Sequence, residues 1–138
     1  ATWDFNFGKP FTAEVENEVL ESLKLSYIGG LSILGGEPFE VENQAGVLAL
    51  IKRAKEEFPK KTIWIYSGFT YEELLSGSRA ATPNAREILS LCDVLVDGRF
   101  KKELKNISLK FRGSENQRII DLKKTAACGE VVLAEEFY

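Results

Sequence analysis

Three short runs, Leu31–Leu34, Thr62–Tyr66 and Val94–Val96, are apolar and rich in branched side chains, and each stops at glycine or a polar turn. Runs of this length, bounded in this way, predict buried strands of a parallel sheet rather than helices. Between them the apolar period changes from two to about 3.6 residues. Val47, Leu50, Ile51, Ala54 and Phe58 share one face of a helix predicted over roughly Gln44 to Phe58, while Lys52, Arg53, Lys55, Glu56 and Glu57 cover the other. Thr70-Tyr71-Glu72-Glu73 has the form of a capping box and opens a short helix. Thr82 and Pro83 open another, with Ile88, Leu89 and Cys92 facing inward.

The flanks are read in the same way. Trp3, Phe5 and Phe7 alternate with polar residues, so Ala1 to Pro10 is expected to be extended. Thr12 caps an expected helix whose inner face is Val15, Val19, Leu20 and Leu23. Beyond Phe100, Ser108 to Phe111 and Arg118 to Leu122 flank a polar turn and are expected to form an edge hairpin, with Val131 to Leu133 as a last strand. Strand, helix, strand, helix, strand is the order of βαβ units, which predicts an α/β fold with a parallel sheet in a single domain spanning residues 1–138.

Composition narrows the function. Hydrophobic residues at 44% and charged residues at 28% are ordinary globular values, and no apolar stretch approaches a bilayer span. A net charge of −3 gives no general support for nucleic-acid binding. The chain has no histidine, which removes imidazole bases and imidazole metal ligands. It has no methionine either, and is expected to begin inside a longer gene product. Of the two cysteines, Cys92 reads as a small buried hydrophobe and Cys128 as a structural or incidental thiol; their spacing fits neither a metal site nor a secreted disulfide scaffold.

Candidate chemistry gathers at the strand ends. Gly35-Gly36-Glu37-Pro38, Ser67-Gly68 and Asp97-Gly98-Arg99 each follow an apolar run. If the strands are parallel, all three loops leave the same sheet edge, where ligands of open α/β sheets bind. Glycines there admit close approach to the backbone, and Glu37, Ser67, Asp97 and Arg99 offer acceptors and donors suited to a zwitterion bearing a ribose.

Four strings occur in an order that resembles one family: Leu31-Ser32-Ile33-Leu34-Gly35-Gly36-Glu37-Pro38, Ile63-Trp64-Ile65-Tyr66-Ser67-Gly68-Phe69, Val94-Leu95-Val96-Asp97-Gly98-Arg99-Phe100 and Phe111-Arg112-Gly113-Ser114-Glu115-Asn116-Gln117. Together they look like the activating proteins of anaerobic ribonucleoside-triphosphate reductase, within the radical S-adenosylmethionine superfamily. The resemblance implies a partial (β/α) barrel of the radical S-adenosylmethionine type. It implies a reduced 4Fe–4S cluster that passes an electron to S-adenosylmethionine, and a 5′-deoxyadenosyl radical that takes hydrogen from a glycine of the partner reductase. Gly35, Gly36, Glu37 and Pro38 would hold the methionine amino group, Ser67 and Gly68 would lie near the cofactor, and Arg99 would pair with its carboxylate. Asp97 would join the same shell or be structural, and Arg112 to Gln117 would meet cofactor or partner, or form a satisfied turn.

The family's CxxxCxxC motif is absent from the chain, which is therefore expected to be the segment after the cluster-binding loop, truncated at its N-terminus and inactive as it stands. The implied setting is cytoplasmic, with a glycyl radical enzyme and a reductant such as flavodoxin or ferredoxin as partners, and with neither nucleic acid nor membrane. Two other classes stay open: an activase for another glycyl radical enzyme such as pyruvate formate-lyase, and a non-catalytic nucleotide-binding or interaction domain on the same scaffold.

Overall fold

Alternate residues of the central strands meet two different environments, and this alternation organises the molecule. The computed structural model describes residues 2–6, 30–34, 37–109 and 111–138. The expected helix after Thr12, the extended stretch from Phe7 onward, and Gly35 and Gly36 lie outside these residues. In order, the described elements begin with β1 (Thr2–Asn6), β2 (Gly30–Leu34), α1 (Val41–Glu57) and β3 (Thr62–Tyr66). They continue with α2 (Tyr71–Leu75), α3 (Pro83–Leu91), β4 (Val94–Asp97), β5 (Arg118–Asp121) and α4 (Leu122–Cys128). Single 3₁₀ turns sit at Lys102–Leu104 and Glu135–Phe137.

Among the described residues the sheet has five strands in the order β1-β2-β3-β4-β5; the first four are parallel and β5 is antiparallel to β4. Register pairs Leu31 with Ile63, Ile33 with Ile65, Ile65 with Leu95 and Leu95 with Ile120. These residues point to the helix-covered face, where they pack with Val47, Leu50 and Ile51 of α1 and with Ile88 of α3. Burying each such side chain stabilises the fold by about 1.5–3 kcal/mol. Val94, Val96 and Ile119 point to the opposite face and pack with Ala134, Trp64, Tyr66 and Phe137. Trp64, Phe111 and Phe137 form a ring cluster there, with centroids 4.7–5.7 Å apart.

The expected parallel sheet is corrected at its last strand. Arg118–Asp121 pairs antiparallel with β4, not with Ser108 to Phe111 in a hairpin. A parallel return needs a long crossover, usually helical, and among the described residues of 98–117 the only helical element is a 3₁₀ turn. Residues around Ser108 instead form a turn held by Asn106 Oδ1, which accepts from Ser108 N–H at 3.0 Å. Val131 to Leu133 is likewise not a full strand: it makes one isolated bridge, Ile120 to Leu133, beside β5. Leu122, expected as the end of a strand, starts α4. Asp121 caps that helix by accepting from Lys124 N–H at 2.9 Å, and Gly129 ends it in the left-handed region.

The start of β2 is tightly constrained by β3. A Cβ on Gly30 would lie 2.3 Å from the Thr62 carbonyl oxygen and 2.5 Å from Thr62 Oγ1. Gly30→Ala therefore has to push two paired strands apart, and is expected to cost about 1–3 kcal/mol. A lower urea midpoint with an unchanged slope is the expected result; an unchanged midpoint would mean that the strands separate here without cost.

Candidate active site at the carboxyl ends of the strands

Parallel pairing puts the carboxyl ends of β2, β3 and β4 side by side, so the loops after them share one edge. Glu37, in the loop after β2, has a φ of 35°, in the region that favours glycine. That backbone turn sends its carboxylate across to the loop after β3. Oε2 accepts from Ser67 Oγ at 2.8 Å and from Phe39 N–H at 3.1 Å, and Oε1 accepts from Gly68 N–H at 2.7 Å. Three of the expected site residues thus meet directly. A Cβ on Gly68 would lie 3.3 Å from Glu37 Oε1 and 3.7 Å from Arg99 Cγ, so a side chain there would press on the Glu37 carboxylate.

The Glu37–Gly68 contact separates two hollows. The larger, about 300 Å³, is lined by Glu37, Pro38, Tyr66, Ser67, Gly68, Val96, Gly98, Phe100 and Gln117. The smaller, about 160 Å³, takes in Glu40, Phe69, Arg79 and Arg99 beside the same pair. Arg79 pairs with Glu40 at 2.5 Å and its guanidinium sits 5.1 Å from the Phe69 ring centre. The hydrogen bond from Arg79 holds the Glu40 carboxyl below its ordinary pKa. Arg99 is exposed, and among the described residues its guanidinium makes no ion pair.

Asp97 turns the other way. It is fully buried, and accepts from Tyr71 N–H at 2.7 Å, Arg118 Nε at 3.0 Å and Arg118 Nη2 at 2.5 Å. Arg118 also reaches Glu72 at 2.6 Å. Asp97 thus ties β4 to β5 and to the first turn of α2, and it lines neither hollow. Gly98, with φ +99°, then redirects the chain toward Arg99 and Phe100.

Residues 112–117 form an internally satisfied turn. Gln117 Oε1 accepts from Gly113 N–H at 2.8 Å and Ser114 N–H at 3.1 Å, while its Nε2 donates to the Gly98 carbonyl at 3.0 Å. Gln117 nevertheless forms part of the pocket wall. Gln117 falls in the stretch expected to meet cofactor or partner or to form a satisfied turn, whereas Tyr66, Phe100, Glu40 and Arg79 were not among the expected site residues. Tyr66 and Phe100 immediately adjoin Ser67 and Arg99, so proximity to the strand ends was an available signal. Nothing local marks the Glu40–Arg79 pair, whose members are 39 residues apart.

Residues 1–120 match the family model of the 4Fe-4S single cluster domain. Over 125 residues the chain is 36% identical to the anaerobic ribonucleoside-triphosphate reductase-activating protein of Salmonella typhi, covering 89% of this chain and 77% of that protein. The chain belongs to this family of activating proteins. The Pasteurella multocida activating protein is 39% identical over 120 residues, covering 86% of this chain and 73% of its own. The corresponding protein of Enterobacteria phage T4 is 34% identical over 119 residues, covering 86% of this chain and 70% of its own. No solved structure matches the chain significantly.

The side chains described do not fit a 4Fe–4S cluster of the kind named by the family model. Cys92 and Cys128 are the chain's two cysteines. Cys92 is fully buried at the end of α3, and burial pushes its thiol strongly up and keeps it protonated, whereas a metal ligand must be a thiolate. Cys128 is exposed at the end of α4, with its thiol 3.4 Å from the Glu130 carbonyl. Among the described residues no three His, Cys, Asp or Glu side chains come together as a metal site.

Proposed function

We infer that the chain is the activating protein of an anaerobic ribonucleoside-triphosphate reductase, with a glycyl radical enzyme as its partner. The observation that carries this is 34–39% identity to proteins of that name over 86–89% of the chain. Residues 1–138 constitute one domain with the partial (β/α) barrel of radical S-adenosylmethionine enzymes. Four parallel strands in sequential order support this, with helices packed on one face and the candidate site at the carboxyl ends. The setting is cytoplasmic, the electron comes from a flavodoxin- or ferredoxin-type reductant, and neither nucleic acid nor membrane takes part. No described helix is long and apolar enough to cross a membrane.

S-adenosylmethionine is the small molecule for the strand-end site, where Glu37 and Arg99 would hold its amino-acid end and where, once reduced by one electron, it would supply the hydrogen-abstracting group. The fit rests on donors and acceptors. A carboxylate offers roughly four acceptor positions, and Glu37 has three engaged by Ser67, Gly68 and Phe39, which leaves capacity for an ammonium. Its three donors also fix the carboxylate in place before a ligand arrives. Arg99 presents a guanidinium beside the smaller hollow, suited to a carboxylate through two parallel hydrogen bonds. Gly35 and Gly36 complete the assignment, with Pro38 and Gly68 in the wall and Asp97 holding the loop from behind.

Binding and catalysis are tested separately, because the cysteines of this chain do not suit a cluster. The 138-residue chain is expected to bind the anaerobic reductase in preference to pyruvate formate-lyase in an anaerobic pull-down. Supplied with iron, sulfide, a strong reductant and S-adenosylmethionine, it is expected to form no 5′-deoxyadenosine. Equal binding to both enzymes would overturn the choice of partner, and stoichiometric product would overturn the ligand argument.

A further inference from the structure

Positive charge is unevenly distributed in this acidic chain. Residues 99–112 hold six of its eighteen cations and one of its twenty-one carboxylates, leaving twelve cations against twenty carboxylates elsewhere. The loop is held firmly at its base. Lys105 and Ser114 form an antiparallel bridge, Glu115 N–H donates to the Leu104 carbonyl at 3.0 Å, and Asn116 Nδ2 donates to the Arg99 carbonyl at 2.8 Å. Ser114 is fully buried beneath it, and its hydroxyl accepts from Lys101 N–H at 3.2 Å.

Outward from that base, Lys101, Lys102 and Lys105 are exposed and make no ion pair with any described carboxylate. Ile107 is 91% exposed at the tip, and Phe100 is 55% exposed where it lines the larger hollow. A held loop that carries three exposed cations, unpaired among the described residues, and a bare isoleucine, in the same segment as the pocket-lining Phe100, has the chemistry of a docking surface.

We propose that Lys101, Lys102, Lys105 and Ile107 dock an acidic surface of the partner reductase, one that carries an apolar recess for Ile107, and so bring its target segment to the pocket. This rests on the function inferred above. Charge selects a protein partner over an extended polyanion. The remaining surface carries a large excess of carboxylates, so a nucleic acid or an anionic membrane reaching past this loop would meet repulsion, whereas a local acidic patch would not. Unlike-charge contacts of this kind chiefly speed encounter and fix register.

The test compares the unaltered chain with a triple variant, Lys101→Glu, Lys102→Glu and Lys105→Glu, and with Ile107→Ser. Affinity for the anaerobic reductase is measured by biolayer interferometry at low and at physiological ionic strength, and thermal unfolding confirms that each variant folds. The expected result is affinity that falls with salt for the unaltered chain. For the triple variant it is weaker at low salt by on the order of 10-fold or more, with little salt dependence left. Ile107→Ser is expected to weaken binding similarly at both ionic strengths. Unchanged affinity and salt slope in the triple variant would overturn the docking surface while leaving the function standing. Failure of the unaltered chain to bind any anaerobic reductase would overturn both. Binding to phosphatidylserine vesicles that is lost in the triple variant, with reductase binding intact, would assign the loop to a membrane and overturn the proposal.

Discussion

Asp97→Ala is expected to lower the stability of the fold by about 3 kcal/mol, at the lower end of the range for breaking a buried ion pair. Asp97 is fully buried and serves three donors, Tyr71 N–H, Arg118 Nε and Arg118 Nη2. Alanine would leave the first amide of α2 without its acceptor and the Arg118 guanidinium without its buried partner. The loss stays near the lower limit because the Arg118 side chain is 31% exposed and can keep Glu72. Asp97→Asn retains an acceptor for Tyr71 but not the charge, and should cost about 1–2 kcal/mol. Urea denaturation at neutral pH measures both. A midpoint equal to that of the unaltered chain would mean that Arg118 and Glu72 hold the junction without Asp97.

The same junction has a signed pH dependence. The hydrogen bond from Arg118 holds the Glu72 carboxyl below its ordinary value of 4.5. A depressed carboxyl contributes stability that is complete above its unfolded pKa and is lost as pH falls through the folded value. The Glu72 contribution is therefore present at neutral pH and fades only below about pH 4.5.

Glu37→Gln is expected to weaken S-adenosylmethionine binding by about 1.5–3 kcal/mol, or roughly 10- to 150-fold, while changing stability little. Glutamine keeps the length of the side chain and one acceptor oxygen, so part of the bridge to Ser67 and Gly68 survives. The negative charge that would receive an ammonium is lost. Glu37→Ala removes the bridge as well, and should lose a further 1–2 kcal/mol or so of stability through the three released donors. Glu37→Gly shares that loss but relieves the backbone strain of φ 35°, so it should be more stable than the alanine variant. Calorimetric titration and denaturation together separate these effects. If Glu37→Gln bound S-adenosylmethionine like the unaltered chain, Glu37 would be a latch between loops and not a ligand contact.

Local signals located most of the described elements correctly. Thr70 and Glu73 form the reciprocal cap that their spacing predicts, and Thr82 caps the helix that opens at Pro83. The helix expected from Gln44 starts three residues earlier, at Val41, and Gln44 is a buried residue of its first turns. Its amide donates to the Phe39 and Ala80 carbonyls and its oxygen accepts from Thr82 Oγ1. Helix α4 was missed although Asp121 and Gly129 stand at its two ends, since the apolar run before it reads as strand.

The sequence by itself determined the family, the buried strands and the sheet edge at which Glu37, Ser67 and Gly68 meet. Each of these follows from short-range information: residue order within a motif, a period of two or 3.6, and a glycine where a strand stops. Only the tertiary structure decided which partner each polar side chain takes. Asp97 and Arg99 stand two residues apart in one string, yet Asp97 turns inward to Arg118 while Arg99 stays exposed beside the smaller hollow. Glu37 meets Gly68 across 31 positions, and Arg118 reaches Glu72 across 46. Such pairings depend on the turns of intervening loops and on which strand closes the edge. A buried carboxylate accepts whichever donors the packed backbone brings within reach, and that is a property of the assembled sheet rather than of any stretch of the chain.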